Sequence, residues 1–224
     1  MGKDKLMRFE AIKGFGNVTE FHFKGENKIP IWGEHFGNSN PIVLELGCGK
    51  GEYSVGLAKK YHEKNFIGVD LKGNRIYIGA RDALANNLIN VHFLRTRIDF
   101  ITESFTPNSI DEIWLTFSDP QPKKPNKRLT SRVFIERYTK FLKPNGIIHV
   151  KTDSDLLFDF TLEQIKLHHY NLHFVSHDIY SELNQFSTSF QEDLTIRTHY
   201  EKLFSSKGSI IKYCQFSLPE SLLK

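Results

Sequence analysis

The sequence predicts an α/β domain built on a doubly wound, mostly parallel sheet that ends in an antiparallel strand pair. From Pro41 onward, apolar runs of strand length alternate with longer segments of helical period. These runs read as nearly continuous apolar stretches, as is typical of parallel strands covered on both faces. The length of 224 residues suits one domain, predicted at 41–224, with an N-terminal extension at 1–40.

The predicted elements follow one another in a regular order. Helices are predicted near 51–62, 73–87, 130–142 and 154–168, and Pro144 is expected to end the third of them. The predicted strands are PIVLEL (41–46), NFIGVD (65–70), VHFL (91–94), IDEIWLTF (110–117) and GIIHVKT (146–152), and the chain closes on the strand-rich runs NLHFVSHD and IIKYCQFSL.

The composition and residue patterns of the chain argue against a membrane protein, a secreted protein and a metal-binding protein. The apolar fraction of 39% suffices for a core, while the apolar runs fall far below the ~20 residues of a membrane span. The N-terminus shows charged residues without an apolar signal core, so we expect a cytoplasmic protein without membrane contact. The two cysteines lie far apart and the ten histidines are scattered, so we expect no metal site. The basic and aromatic stretches FEAIKGFGN and FHFKGENK in the first forty residues suit either a lid that faces a bound partner or a cover for the core.

A glycine-rich turn links the first predicted strand to its helix. VLELGCGKGEY places Gly47, Gly49 and Gly51 in a GxGxG spacing, and Glu45 precedes them. Glycine permits positive φ and a close approach of a ligand to the backbone. A dinucleotide site uses GxGxxG and seats a pyrophosphate at the helix N-terminus, where a carboxylate would repel it. The acidic turn therefore favours a cationic ligand.

A second carboxylate ends the next predicted strand. Asp70 follows Gly49 by 21 residues, a position from which it can accept hydrogen bonds from both hydroxyls of a ribose. Together with Glu45 and the glycines, it resembles the S-adenosylmethionine (SAM) site of class I methyltransferases, whose cofactor carries a sulfonium and no phosphate. A dinucleotide site and a plain tight turn with an exposed aspartate are the alternatives.

The excess positive charge of the chain is concentrated in one loop. DPQPKKPNKRLTSR (119–132) has a net charge of +4, equal to that of the whole chain. Asp119 ends the fourth predicted strand, at the edge where open α/β sheets bind ligands, and prolines at 120, 122 and 125 stiffen the loop beyond it. Basic residues beside a methyl donor indicate a polyanionic substrate, most simply a folded RNA. The alternative is a solvated charged loop.

The motifs together resemble those of the bacterial tRNA (guanine-N7)-methyltransferases. The shared elements, which cover nearly the whole chain beyond residue 40, are ELGCGKG (45–51), FIGVD (66–70), FSDPQPKK with KRLT (117–130), VKTDSDLLF (150–158) and TxYExxF (198–204). The resemblance implies a Rossmann-like class I fold, SAM as cofactor, and tRNA as the partner. It also implies methyl transfer to N7 of a variable-loop guanosine at tRNA position 46.

By position, the resemblance implies three groups of site residues. Asp119 is the catalytic candidate. The cofactor-binding candidates are Glu45, Gly47, Gly49, Asp70, Arg97 and Asp119, and the substrate-binding candidates are Lys123, Lys124, Lys127, Arg128, Asp153, Thr198, Tyr200 and Glu201. Taken alone, Asp153 is equally well explained as a helix N-cap, and Glu201 as one partner of a surface salt bridge.

The sequence departs from the family pattern at several positions. Gln121 stands where the family usually has Trp, His199 replaces a common Glu, and the basic loop is about two residues shorter than the usual form. Arg97 stands where an acidic residue commonly meets the adenine, so either its backbone or Asp99 takes that role.

Other functions share part of this pattern. A methyltransferase acting on a small molecule would have the glycine turn but no use for the basic loop. A non-catalytic RNA-binding protein on the same scaffold would bind RNA without SAM, and a dinucleotide oxidoreductase would bind NAD(P).

Overall fold

A computed structural model describes residues 2–21, 30–206 and 208–223. The chain divides into two compact units, residues 1–105 and 106–224, which are described in turn.

The first unit contains four parallel strands in the order β1-β4-β3-β2. Three of the strands were predicted, and their central residues are fully buried, as expected of strands covered on both faces. The bounds are β1 Val18–Glu20, β2 Ile42–Leu46, β3 Asn65–Asp70 and β4 Val91–Arg95.

Helices follow β2 and β3 as the alternating pattern predicts. The helices of the first unit are α1 Gly2–Ala11, α2 Trp32–Phe36, α3 Glu52–Lys60 and α4 Gly73–Ala85, with short 3-10 helices at Ile12–Gly14 and Ile98–Ser104. The βα units bring the carboxyl ends of β2 and β3 to one edge, where the glycine turn lies.

Part of the predicted N-terminal extension joins the sheet. Strand β1 pairs with β4 in parallel, and Phe21 N donates to Arg95 O at 3.0 Å. Asn17 donates from its side chain to Ala80 O at 3.0 Å, and Ile12 is buried. Residues 9–21 therefore cover the core. The rest of the FHFKGENK stretch lies outside the described residues.

The second unit contains the strand order β5-β6-β8-β7. Strand β6 is parallel to β5 and antiparallel to β8, and β8 is antiparallel to β7, so the predicted antiparallel closing pair is confirmed. The strands are β5 Ile110–Thr116, β6 Leu142–Thr152, β7 Asn171–Ser176 and β8 Lys212–Ser217; the helices are α5 Arg132–Tyr138, α6 Asp155–Leu167, α7 Thr188–Thr195 and α8 His199–Ser205, with 3-10 helices at Pro125–Lys127, Leu183–Gln185 and Glu220–Leu222.

The third predicted helix is shorter than expected. Helix α5 ends at Tyr138, so the expectation that Pro144 ends it is wrong. Pro144 lies within β6, where Leu142 pairs with Ile110 but Ile147 already pairs with Glu112. The residues between Leu142 and Ile147 form a bulge, in which Asn145 takes a positive φ of 64°.

No helix in the described part of the chain combines the length and apolar character needed to cross a bilayer.

Candidate functional site

The glycine turn after β2 depends on left-handed backbone at three positions. Gly47, Gly49 and Gly51 have φ of 80°, 56° and 72°. Side chains are strained in this region, which explains the three glycines. The turn is tied to the next strand, because Gly47 N and Cys48 N both donate to Val69 O at 2.8 and 2.9 Å.

Glu45 lies buried beneath this turn. Its Oε2 accepts from Ser54 N at 3.0 Å and from Ser54 Oγ at 2.5 Å. The N-cap of α3 is Gly51, which has no side chain to satisfy the first amides of the helix. Glu45 supplies that acceptor from β2, and its negative charge is thereby held in place.

Asp70 orients its carboxylate through two backbone amides. Its Oδ2 accepts from Gly49 N at 3.0 Å and its Oδ1 from Lys72 N at 2.7 Å. A carboxylate oxygen can accept more than one hydrogen bond, so each oxygen can also receive a ligand hydroxyl. The structure therefore brings together Glu45, Gly47, Gly49 and Asp70, as the sequence predicts.

The thiol of Cys48 lies within the negative field of the turn. Burial raises its pKa well above the usual value, and the negative charges of Glu45, Asp70 and Glu52 raise it further. The same field that disfavours a thiolate would disfavour a pyrophosphate and attract a cation. The turn thus fits a sulfonium-bearing ligand rather than a dinucleotide.

Arg97 lies two residues beyond the end of β4 and is the N-cap of the 3-10 helix Ile98–Ser104. Its guanidinium is exposed, pairs with Asp99 Oδ2 at 3.3 Å and lies 5.6 Å from the Phe100 ring. The Arg97 carbonyl accepts from Phe100 N at 2.9 Å. Arg97 and Asp99 are therefore neighbours, and both stay candidates for the adenine contact.

In the second unit, Asp119 is exposed just beyond β5. Its Oδ1 accepts from Gln121 N at 2.9 Å, which closes a small turn. The residues two before and two after it, Phe117 and Gln121, have positive φ of 50° and 43°. Neither residue type favours this conformation, so the sequence contained no signal for it. Such strain is common where a side chain must be held for function.

The basic loop is ordered by successive short backbone bonds. Lys124 N donates to Gln121 O at 3.1 Å and Lys127 N donates to Lys124 O at 2.8 Å. The side chains of Lys123, Lys124 and Lys127 are exposed, as a phosphate-binding surface requires.

Arg128 differs from these lysines. It is 6% exposed, its Nε donates to Pro120 O at 2.9 Å, and its guanidinium lies 4.4 Å from the Phe160 ring. The sequence pattern grouped Arg128 with the phosphate-binding residues. In the structure its side chain instead anchors the base of the loop.

Asp153 follows the carboxyl end of β6. The N-cap of α6 is Ser154, which accepts from Leu157 N at 3.2 Å, so the interpretation of Asp153 as the helix cap is wrong. Burial raises the pKa of Asp153, its own backbone hydrogen bond and Lys212 lower it, and Asp155 raises it. An acid that is costly to ionise at a strand end is typical of a functional position.

The Thr198–Glu201 segment begins helix α8. Thr198 Oγ1 accepts from Glu201 N at 3.1 Å and so caps the helix. Tyr200 is half-buried, with its ring 5.7 Å from that of His199.

Glu201 is fully buried and forms an ion pair with Lys151 at 2.9 Å. The interpretation as a surface salt bridge is therefore wrong, and this carboxylate, a substrate-binding candidate, contacts Lys151 and Tyr180. Lys151 was not among the predicted site residues. The available signal was a lysine inside a largely apolar strand, where both faces are expected to be covered.

Comparisons with known proteins agree with this geometry. The family model described as "Putative methyltransferase" matches residues 39–214. The tRNA (guanine-N(7)-)-methyltransferase of Bacteroides thetaiotaomicron is 46% identical over 98% of this chain and 88% of its own length. That of Christiangramia forsetii is 42% identical over 96% of this chain and 98% of its own.

The chain belongs to the tRNA (guanine-N7)-methyltransferase family. The family predicted from the motifs is thus confirmed.

Several solved structures resemble this chain in fold. The 16S rRNA methyltransferase KamB superposes with a TM-score of 0.61 at 12% identity, covering 88% of this chain and 97% of that one. An antibiotic-related methyltransferase gives a TM-score of 0.59 at 15% identity, covering 87% of this chain and 95% of that one. At this identity the likeness concerns the fold alone, and it confirms the predicted class I architecture.

Proposed function

We propose that this chain transfers a methyl group from SAM to N7 of a guanosine at position 46 in the variable loop of tRNA. The observation that carries the proposal is the acidic glycine turn, where the Glu45 and Asp70 carboxylates lie beneath and beside left-handed backbone. The names of the relatives support tRNA as the acceptor.

The residues of the turn fit SAM by chemistry. The Asp70 carboxylate suits the two ribose hydroxyls, and the negative field that raises the pKa of Cys48 suits a cationic ligand. When bound, SAM supplies an electrophilic methyl group on a sulfonium. Glu45, Gly47, Gly49 and Asp70 would hold it.

The second unit contains the residues that we assign to binding of the tRNA and its guanosine. Lys123, Lys124 and Lys127 offer exposed cations for phosphates of a folded RNA. Asp153 can accept hydrogen bonds from the N1–H and amino groups of guanine, which an adenine could not donate in the same pattern. Thr198 and Tyr200 would border the same nucleotide.

The chemistry asks mainly for positioning. Guanine N7 has a lone pair and no proton at neutral pH, so no general base is needed. Correct orientation can contribute about 7–11 kcal/mol to lowering the barrier. Methylation leaves positive charge on the guanine ring, and the carboxylate of Asp119, oriented by Gln121 N, stabilises that charge.

The direct test is incubation of the chain with methyl-labelled SAM and an unmodified tRNA transcript, followed by nucleoside analysis. We expect 7-methylguanosine, and none from a transcript in which the position-46 guanosine is replaced by adenosine. Label in any other nucleoside, or label only in small molecules, would contradict the proposal.

Asp119→Asn tests the proposed catalytic carboxylate. The amide keeps an oxygen for Gln121 N but removes the charge, so kcat should fall by about 100-fold or more. The Kd for tRNA should stay within about 3-fold, because Asp119 is not a phosphate contact. Asp111→Asn is the matched control at the other end of β5 and should keep kcat. Near-full turnover in Asp119→Asn would exclude the proposed role.

A further inference from the structure

A buried charge pair links β6 and α8 in the second unit. The side chains of Lys151, on β6, and Glu201, on α8, are both 0% exposed. Lys151 Nζ lies 2.9 Å from Glu201 Oε1 and 3.0 Å from Oε2. The hydroxyl of Tyr180 donates to Glu201 Oε1 as well.

The ammonium group of Lys151 also donates hydrogen bonds to the backbone of the residues that precede the Thr198–Glu201 segment. Lys151 Nζ donates to Leu194 O at 2.5 Å and to Ile196 O at 3.4 Å. These carbonyls lie at the end of α7 and in the connection before α8. One side chain therefore holds residues 194, 196 and 201 in a single arrangement.

Lys151 also contacts the strand end that leads to Asp119. Its backbone carbonyl accepts from Phe117 N at 2.8 Å, and its Nζ lies 5.9 Å from the Phe117 ring. Phe117 has the positive φ that turns the chain toward Asp119. The lysine thus joins the two parts of the second unit that the proposed function assigns to the guanosine.

The energetics of the buried pair indicate that it orients the segment rather than adding to the stability of the fold. Burial lowers the pKa of Lys151, while the charge of Glu201 raises it, so each charge depends on the other. A buried ion pair commonly adds nothing over apolar residues of the same volume, whereas removing one partner is strongly destabilising. Its geometry, with three carbonyl or carboxylate groups around one ammonium, instead specifies one conformation of the segment.

We infer that Lys151, Glu201 and Tyr180 form a positioning centre that sets the conformation of Thr198–Glu201 for the acceptor nucleotide. Lys151 and Tyr180 are positioning residues and do not touch substrate. Glu201 acts through the same centre rather than by reading guanine. The consequence for methyl transfer rests on the proposed function, whereas the effect on the segment does not.

Tyr180→Phe is the mild test, because it removes one hydrogen bond to Glu201 and leaves the ion pair. We expect faster hydrogen exchange at the amides of residues 199–205, and kcat/KM for tRNA lower by about tenfold, the loss of roughly 1.4 kcal/mol. The KM for SAM should stay within twofold. Exchange at the wild-type rate would overturn the inference, and this readout holds even if the wild type proves not to methylate tRNA.

A second variant separates positioning from simple stability. In Lys151→Met with Glu201→Gln both charges are gone, so no unpaired charge is left buried and the protein should fold. We expect the melting temperature to stay within a few degrees of wild type while kcat/KM for tRNA falls at least tenfold. Wild-type kcat/KM in this double variant would overturn the inference, as would an equal loss of SAM affinity.

Lys143→Met is the matched control. Lys143 lies on the same strand and pairs with Asp111 at 2.7 Å, but this pair is partly exposed. Its loss should leave both the exchange of residues 199–205 and kcat/KM for tRNA within twofold of wild type. A tenfold loss in this control would show that any broken lysine pair on β6 has the same effect, which would overturn the specific role of Lys151.

Discussion

The carboxyl group of Asp153 is harder to ionise in the folded protein than in the unfolded chain. Burial raises its folded-state pKa above the usual 3.8. In the pH range between 3.8 and the higher folded value, the folded state therefore binds more proton than the unfolded chain, and the stability that Asp153 contributes falls as pH rises through that range. At neutral pH the ionised group costs folding free energy, which is expected of a residue kept for binding rather than for stability.

Replacing Asp153 by Asn should remove this cost. We expect Asp153→Asn to be more resistant to urea than wild type at pH 7, with the difference shrinking as the pH is lowered toward 4. Its methyl transfer to tRNA should be strongly reduced, because the amide offers one acceptor oxygen instead of two. Asp159→Asn, at an exposed position of α6, should show neither change. Lower stability of Asp153→Asn at pH 7 would count against the stated environment.

At the scale of elements, the glycine turn is inseparable from its contact with α4. A Cβ on Gly79 would lie 2.6 Å from Lys50 O and 3.0 Å from Gly51 Cα, and it would also meet the Phe93 ring. Helix α4 therefore approaches the turn more closely than any side chain would allow. Gly79 is thus a packing residue of the glycine turn, although it lies 28 positions from Gly51 in the chain.

Gly79→Ala should lower the stability of the protein, whereas a glycine-to-alanine change within a helix usually raises it. Alanine is favoured in helices by about 1 kcal/mol. Overlap of the added methyl group with backbone atoms typically costs about 1–3 kcal/mol, because backbone atoms cannot move aside as a flexible side chain can. We expect a net loss of stability in urea unfolding and weaker SAM binding by calorimetry. Gly14→Ala has open space around the new methyl group and should stay within about 0.5 kcal/mol of wild type.

Several elements could be predicted from the sequence, and others could not. The alternation of strand and helix from β2 to β6 follows local periodicity, so most of those elements appear close to their predicted bounds, whereas α5 ends earlier and β6 begins earlier than predicted. Strand β1 has three residues, and α7 and α8 have eight and seven, which is too short for a periodic signal. Their formation depends on partners such as β4 and Lys151.

At the scale of the whole molecule, the net positive charge is concentrated in one stretch of the chain. The chain carries a formal net charge of +4, and the stretch 119–132 alone carries as much. The structure leaves the lysines of this stretch exposed while it buries Arg128. The long-range attraction for tRNA should therefore depend on the lysines, and it should be screened by salt.

Lys123→Gln with Lys124→Gln should test this dependence. Each lost phosphate contact should reduce the slope of log K against log salt concentration by about 0.7–0.9. The double variant should bind tRNA more weakly at low salt, with SAM affinity unchanged. Lys140→Gln with Lys166→Gln makes the same change in net charge at exposed positions outside the loop. If both double variants change the slope equally, net charge rather than the loop attracts the RNA.

The sequence by itself determined the family, the α/β class and the glycine turn with its two carboxylates. These depend on residues close together in the chain or at the ends of consecutive strands, as with Glu45, the three glycines and Asp70. Tertiary structure alone decided which charged side chains face solvent. Arg128 and Glu201 look like their exposed neighbours in the sequence but are buried against Phe160 and Lys151, which lie 32 and 50 positions away. Burial of a charge depends on such distant partners, because only a packed environment can supply the hydrogen bonds and opposite charge that offset the loss of water.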